Sequence, residues 1–345
     1  MVALPNPGRN HAGPTVPGCA AGPGSPQDGG VLPVVVVGAG IAGVSCAREL
    51  AARGVPVQLR ERSHAPGGRM ASRLLGGRKV DLGASYLTCR TADFQQVVDS
   101  WLARGLARRW TDRFAVRDAD GWGHSSVGPI RYGAPGGLRG LVEDLATGLD
   151  IATRTEVTDV GPGPTVDGEP ARAVVLAMPD PQAGDLLAED LAAEVDAVRD
   201  RRSRPALALA AGWARRDWRD VDGVFVADDP VLSWVADDGR RRGDGAAVLV
   251  AHTTAAFAAP HLDRPQAAAE LVLAALVRVL EIGTRPDWTY LHRWSLSAPA
   301  EPHDEPYHLG DAMVGLCGDG WGPPRVETAW ASGRALGRDL AGRLR

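Results

Sequence analysis

Gly38-Ala39-Gly40-Ile41-Ala42-Gly43 lies between the apolar run LPVVVV and a segment of helical character. In a strand–turn–helix setting each glycine of GxGxxG has its own task. Gly38 permits the tight turn, Gly40 lets backbone approach a pyrophosphate, and Gly43 allows close helix–strand packing. The helix N-terminus then offers unpaired N–H groups and a partial positive charge to the phosphates. Glu61 follows at the end of the next apolar strand, where a carboxylate can accept both hydroxyls of a ribose. Together these residues predict a dinucleotide site. A little further on, Gly67-Gly68-Arg69 can bring backbone and guanidinium towards a second phosphate or a flavin edge.

A second fragment of such a site stands near the far end, in VGLCGDGWGPPRVETAWASG over 314–333. FAD is long, so its ribityl chain and ring system need contacts from another strand end. Asp319 is placed to accept a ribityl hydroxyl or to position a water on the pyrophosphate. A helix beginning near Val326, after Pro323 and Pro324, would aim its N-terminus at the flavin N1–C2=O region and stabilise negative charge on the reduced ring. A simple NAD dehydrogenase has no need of this late fragment. The cofactor expected is therefore FAD.

Hydride transfer to a flavin asks for alignment and a dry pocket more than for a strong acid or base. Candidate lining residues are Trp234 in PVLSWVADD, His292 and Trp294 in LHRWSLSAP, and Trp321 beside Asp319. An indole can stack on a planar substrate ring, and His292 can donate a hydrogen bond to the substrate. Core packing is the competing reading for the two tryptophans of the middle region, and a structural role for His292. Trp321 is the indole most expected to touch flavin. Arg240–Arg242 reads as a solvated turn. The histidines of EPHDEPYHLGD have irregular spacing, so no metal site is assigned. Cys317 precedes the Gly-Asp turn, away from where a flavin-linked thiol would have to face the ring.

The elements that must position these groups follow from apolar patterning. Strand Val34–Val37, turn Gly38–Gly43, helix Val44–Arg53 and strand Val57–Arg60 form one βαβ unit. Unbroken valines rather than alternation imply a strand buried on both faces, as in a parallel sheet. KVDLGASYLT (79–88) leads back into that sheet or lies against it. Residues 91–138 turn aromatic and arginine-rich, then LRGLVEDLATGL reads as helix and IATRTEV and ARAVVLAMP as strands. Helix signals follow at 182–202 and 265–282, with strand signals at PALALAAGW, GVFVA, AAVLVAHT and WTYLHRW. A last buried strand at 312–317 precedes a helix over 326–342.

The chain has 345 residues, 44% hydrophobic and 23% charged, as suits a soluble globular protein. A formal net charge of −4 excludes the strongly basic footprint of a nucleic-acid binder. No run approaches the length needed to span a membrane. Four cysteines without CxxC spacing fit reduced thiols in a cytoplasm. Residues 1–31, rich in glycine and proline, read as a disordered tail.

VVVVGAGIAGVSCARELAARG, ERSHAPGGRM, VDLGASYLT, VVLAMPDPQ, LHRWSLSAP and CGDGWGPPRVETAWASG resemble the renalase-like branch of the FAD-dependent amine oxidase superfamily over roughly residues 32–342. The resemblance implies an α/β fold: a Rossmann-like FAD-binding domain (glutathione-reductase-type) with a second, β-rich α+β substrate domain inserted. The expected division is 32–90, 137–180 and 311–345 for the FAD-binding domain, and 91–136 and 181–310 for the substrate domain. The resemblance also implies that FAD is held non-covalently, with Ala42, Arg62, Ala84 and Ser85 of these motifs, and Val157 at the end of IATRTEV, among the cofactor contacts. The implied activity is oxidation of isomeric dihydronicotinamide dinucleotides, with molecular oxygen giving hydrogen peroxide, and no nucleic-acid or membrane partner. Monoamine-oxidase-like relatives hold a lysine, through water, at flavin N5. Here Lys79 is the only lysine and leads into a strand, and there are only four tyrosines. That disfavours the lysine and twin-tyrosine plan. An oxidase or dehydrogenase of an amine or other small metabolite is the alternative, and a flavin-binding protein without turnover is another.

Overall fold

The computed structural model describes residues 31–345, so residues 1–30 of the stretch read as a disordered tail, with Cys19, lie outside the described residues. Two large sheets carry the structure. The first has six strands in the order His308–Leu309, Val314–Leu316, Ala173–Leu176, Val34–Val37, Val57–Glu61 and Asp150–Thr153. All its pairings are parallel except the first. The Val34–Val37 run sits at its centre and is buried throughout. Val34 and Val36 pack into the core on one face, and Val35 and Val37 into the core on the other. Unbroken valines are what such a two-sided position requires.

Helix Ile41–Ala51 leaves the glycine turn and packs on this sheet beside helix Val326–Arg343, which follows the Val314–Leu316 strand. The two approach so closely that a Cβ on Gly333 would collide with the Ala42 carbonyl. One on Gly337 would meet the Cys46 carbonyl oxygen at 2.7 Å. The first helix starts at Ile41, earlier than the expected Val44.

The second large sheet is mixed and starts from strand Trp288–Pro299, followed by Ser203–Gly212, Val248–Thr253, Leu232–Asp237 and Gly223–Val226. It continues through Arg108–Asp118, which pairs with both Gly121–Trp122 and Ser126–Gly133. Helix Ala269–Leu280 covers one face, burying Val272, Leu276 and Val279 against Leu207, Leu209 and Leu249. The opposite face presents smaller and aromatic residues, including Ala208, Ala210 and Trp234.

Three local expectations are corrected. Segment 79–88 does not join the parallel sheet; Arg78–Asp81 pairs with Ser72–Leu75 as a separate hairpin. The helix expected over 182–202 is two short ones, Asp180–Gly184 and Ala192–Val198. Between them the chain bridges to Val160, with Val160 N–H donating to Leu186 O at 2.8 Å and Ala188 N–H to Val160 O at 2.9 Å. That bridge buries Leu187 and Leu191, which outweighs helical continuity at Gly184. Helix Ala92–Ala103, placed by sequence in the inserted part, packs Phe94, Val98 and Trp101 into the parallel-sheet core.

The basic run is the largest correction. Arg240–Arg242 is no solvated turn: it closes the short helix Asp238–Arg242, and Arg241 is fully buried. Arg241 pairs with Asp238 and donates to Ser85 O at 2.9 Å. Arg242 Nε lies 3.1 Å from Asp238, and Arg78 reaches the same carboxylate at 2.5 Å. Asp81 faces Arg242 across 3.1 Å and accepts from Leu138 N–H. Burial alone would raise the Asp238 carboxyl, but Arg241, Arg242 and Arg78 together hold it below the ordinary carboxylate value. Its contribution to stability is therefore present above an unfolded value of about 3.9 and lost as pH falls through the lower folded value.

Removing one partner of a buried pair leaves the other uncompensated. Asp238→Ala is expected to lower urea-unfolding stability by about 3–5 kcal/mol. Arg240→Ala, whose partner Asp220 is exposed, should cost under about 1 kcal/mol. Equal losses in the two variants would contradict this assignment.

Candidate active site

One cavity of about 1780 Å³ runs from the glycine turn to the inner face of the mixed sheet. Ordinary ligand pockets span roughly 300–1,000 Å³, so there is room for a dinucleotide and a second molecule. At one end the backbone forms a cradle. Gly38 has φ +98°, and a Cβ there would stand 2.7 Å from Ala177 O. Helix Ile41–Ala51 begins at Gly40 with no side-chain cap and no acidic residue in its first turn. Its first N–H groups therefore remain for a phosphate. Gly40 lines the cavity, whereas Gly43 faces the Gly38 carbonyl and Ala177, in keeping with packing.

The Glu61 carboxylate is held from both sides, by Ala39 N–H and Ser63 N–H, each at 2.8 Å. It lines the cavity with Arg62 and Val157. The second glycine loop lies directly on the first: Gly67 N–H donates to Ala39 O at 2.9 Å. A Cβ on Gly68 would stand 3.2 Å from the Gly40 Cα.

Further along, Arg69 and Asp319 meet each other. Their two nitrogen–oxygen contacts measure 3.0 and 2.5 Å, and the residues are 250 positions apart in sequence. Sequence reasoning gave each of them a cofactor contact; in the structure each is also the other's partner. Arg69 O accepts from Ala84 N–H at 3.0 Å, which brings Ala84 and Ser85 to the cavity wall. Val326 lines the cavity at the start of the last helix, whose N-cap Arg325 makes no side-chain cap. Two uncapped helix N-termini thus open on one cavity, with a carboxylate at the first. That donor set fits a long dinucleotide with phosphates at one end and an electron-accepting ring at the other.

The far wall comes from the mixed sheet. Alternation along Trp288–Pro299 sends Tyr290, His292 and Trp294 to the cavity side, while Leu291 enters the core behind. Trp294 Nε1 donates to Leu82 O at 2.8 Å, and its ring meets His292 edge-on at 4.6 Å. Trp234 Nε1 donates to Ser85 Oγ at 3.0 Å, and its ring packs among Tyr86, Phe114 and Phe225. Burial, with Arg73 and Arg293 nearby, pushes His292 down to about 4. Burial and Arg241 do the same for His252, also about 4, which contacts Leu82 O at 3.1 Å. Both imidazoles are neutral near pH 7.

The structure thus gathers Trp234, His292 and Trp294 on one wall and leaves Trp321 outside. Trp321 lies on the other side of the parallel sheet, 5% exposed, stacked on His303 at 3.7 Å. His303 is itself held by Asp180 at 2.9 Å. The side chain after Gly320 turns into the core, where its indole covers the His303–Asp180 contact. Cys317 is fully buried, its thiol pushed up to about 12, and among the described residues no cysteine lines the cavity. Lys79 is on the outer hairpin, away from the lining. Sequence reasoning missed Arg73, Tyr86, His252 and Tyr290. Period-two alternation from His292 would have found Tyr290; His252 and Arg73 come from tertiary pairing alone.

Gly40 and Gly43 make opposite predictions. A Cβ on Gly40 meets nothing nearer than Gly68 Cα at 4.0 Å, so Gly40→Ala should fold and lose cofactor content. A Cβ on Gly43 would collide with Gly38 O, so Gly43→Ala should unfold at markedly lower denaturant. Flavin-to-protein absorbance ratio and urea midpoint, measured on both, check the contrast.

Comparison with known proteins agrees with this geometry. Residues 36–101 match the NAD(P)-binding Rossmann-like domain family, and residues 114–336 match the family described as flavin containing amine oxidoreductase. Cyclohexylamine oxidase from Brevibacterium oxydans IH-35A superposes with a TM-score of 0.73 at 13% identity, covering 91% of this chain and 100% of that one. Putrescine oxidase bound to putrescine gives 0.66 at 14% identity, covering 90% and 98%. These likenesses establish a shared fold. Hydroxyneurosporene desaturase of Rubrivivax gelatinosus is 49% identical over 57 residues, 16% of this chain and 11% of that protein. The chain thus matches only about a tenth of that curated relative's length. With more than half of its residues inside the second family match, the chain belongs to the flavin containing amine oxidoreductases.

Proposed function

We propose that this protein is a renalase-like FAD-dependent oxidase of isomeric dihydronicotinamide dinucleotides or a similar hydride donor. FAD held by the glycine turn, Glu61 and the last helix would supply a two-electron acceptor for such a donor. Overall, donor, one proton and oxygen give the aromatic nicotinamide and hydrogen peroxide, which balances without a base on the substrate. The observation that carries the reading is the composition of the far wall. It offers flat faces and a neutral imidazole at Tyr290, His292 and Trp294, and the chain's one lysine is elsewhere.

The chain's own part is placement. Trp294, fixed through Leu82 O, sets one face of the slot, and Trp234, fixed through Ser85, closes its floor. His292 accepts or donates one hydrogen bond to a carboxamide without carrying charge. The aromatic group around Trp234 excludes water, which favours hydride transfer over side reactions. A second reading, oxidation of an amine, draws support from the same aromatic group, since ring faces attract an ammonium.

Anaerobic mixing of FAD-loaded protein with borohydride-treated NAD is expected to bleach the flavin band within seconds. Readmitted air should restore it. Putrescine and cyclohexylamine should leave the band unchanged; bleaching by either amine and not by the dihydronicotinamide mixture would favour the second reading. His292→Ala should raise half-saturation roughly 2- to 10-fold, the worth of one hydrogen bond. Because His292 titrates at about 4, half-saturation should stay flat from about pH 5 to 8 on its account.

A further inference from the structure

Arg73 stands on the Ser72–Leu75 strand, just past the second glycine loop, and lines the cavity. Its guanidinium carbon lies 5.6 Å from the centre of the Tyr290 ring. Arg73 is exposed, and a ring contact at that distance leaves its N–H donors open to another partner. Its neighbours on the same stretch are engaged: Arg69 with Asp319, and Arg78 with Asp238 and Asp244. Arg73 has no ion-pair partner among the described residues.

The carboxylates of the cavity are all committed or distant. Glu61 accepts from the glycine turn, and Asp319 is taken by Arg69. Glu156 and Asp185 adjoin Val157 and Leu186, beside the Glu61 end. Tyr290, His292 and Trp294 therefore face a cation with no acidic counterpart. The influence of Arg73 reaches His292, where it adds to burial in keeping that ring neutral.

From this arrangement we infer that the far wall recognises an oxyanion, with Arg73 as its specificity-determining anchor. The substrate is a planar hydride donor that carries phosphate or carboxylate beside its reacting ring. Paired N–H groups of a guanidinium match two oxygens of such a group. A cationic amine would find ring faces here but also a guanidinium of its own sign and no carboxylate. The inference rests on the reading that this wall receives the donor, and it deepens that reading by naming the charge the donor must bear.

The test is equilibrium calorimetry on FAD-loaded protein, with NAD⁺ as the oxyanion probe and 1-methylnicotinamide as a ring without one. Wild type should bind NAD⁺ more tightly than 1-methylnicotinamide, and added salt should weaken only the first. Arg73→Ala should weaken NAD⁺ binding about tenfold or more and leave binding of 1-methylnicotinamide, itself a cation, no weaker. Arg73→Lys, keeping the charge without the fork, should fall between. Equal NAD⁺ affinity in wild type and Arg73→Ala would overturn the inference, as would undetectable NAD⁺ binding or a preference for 1-methylnicotinamide. Arg73-dependent binding without flavin bleaching by borohydride-treated NAD would sink the proposed activity and keep the anchor. Bleaching with Arg73-independent binding would do the reverse.

Discussion

The near-contact of two helices sets the geometry on which the rest depends. Gly333 and Gly337 of the last helix give their surface to the backbone of Ala42 and Cys46 in the first. Gly43 does the same towards Gly38 and Ala177 beneath it. Side chains at these positions would push the helices apart, and with them the two N-termini that open on the cavity. Both helices follow parallel strands, so both begin at the carboxyl edge of the sheet, where open α/β sheets bind their ligands. The glycine loop at Gly67-Gly68 rests on that edge, and the Arg69–Asp319 pair closes it against the last turn.

A buried ionic knot does for the mixed sheet what glycines do for the parallel one. Asp238, Arg241 and Arg242 leave the Leu232–Asp237 strand and reach Asp81, Arg78 and the Ser85 carbonyl on the stretch that also carries Ala84. Burying so many charges is weak grounds for net stability, because desolvation offsets much of the attraction. What it supplies is orientation. Ser85, held by Arg241 through its carbonyl, accepts from Trp234 through its hydroxyl, so the loop that carries Ala84 and the mixed-sheet wall of the cavity share one anchor.

How much of this was legible in the chain varies with the range of the forces involved. The Val34–Val37 strand, the glycine turn and the last helix are written in local pattern, and their positions agree within a few residues. Val35 and Val37 facing one core while Val34 and Val36 face another is what unbroken valines implied. The run Arg240–Arg242 was illegible because its partners Asp81 and Arg78 lie far away in sequence, and a short charged helix in isolation looks solvated. Trp321 was misleading for a similar reason: proximity to Asp319 in sequence says nothing about which side of the sheet an indole takes. The short helices within 180–198 yielded to a bridge with Val160 that no periodicity encodes.

The place of the Val314–Leu316 strand has a consequence for synthesis. It covers the flank of Ala173–Leu176, whose residues are all buried in the finished fold. Until the ribosome has delivered it, an apolar strand flank stands open beside the central valines, a template for pairing with other nascent chains. Asp319 arrives in the same stretch, so the clasp on Arg69 forms only after a loop of 250 residues has closed. Closure of the Arg69–Asp319 clasp is then coupled to a segment translated long after the glycine turn. A chain released before that segment would lack the clasp and stand exposed along the edge of its own core.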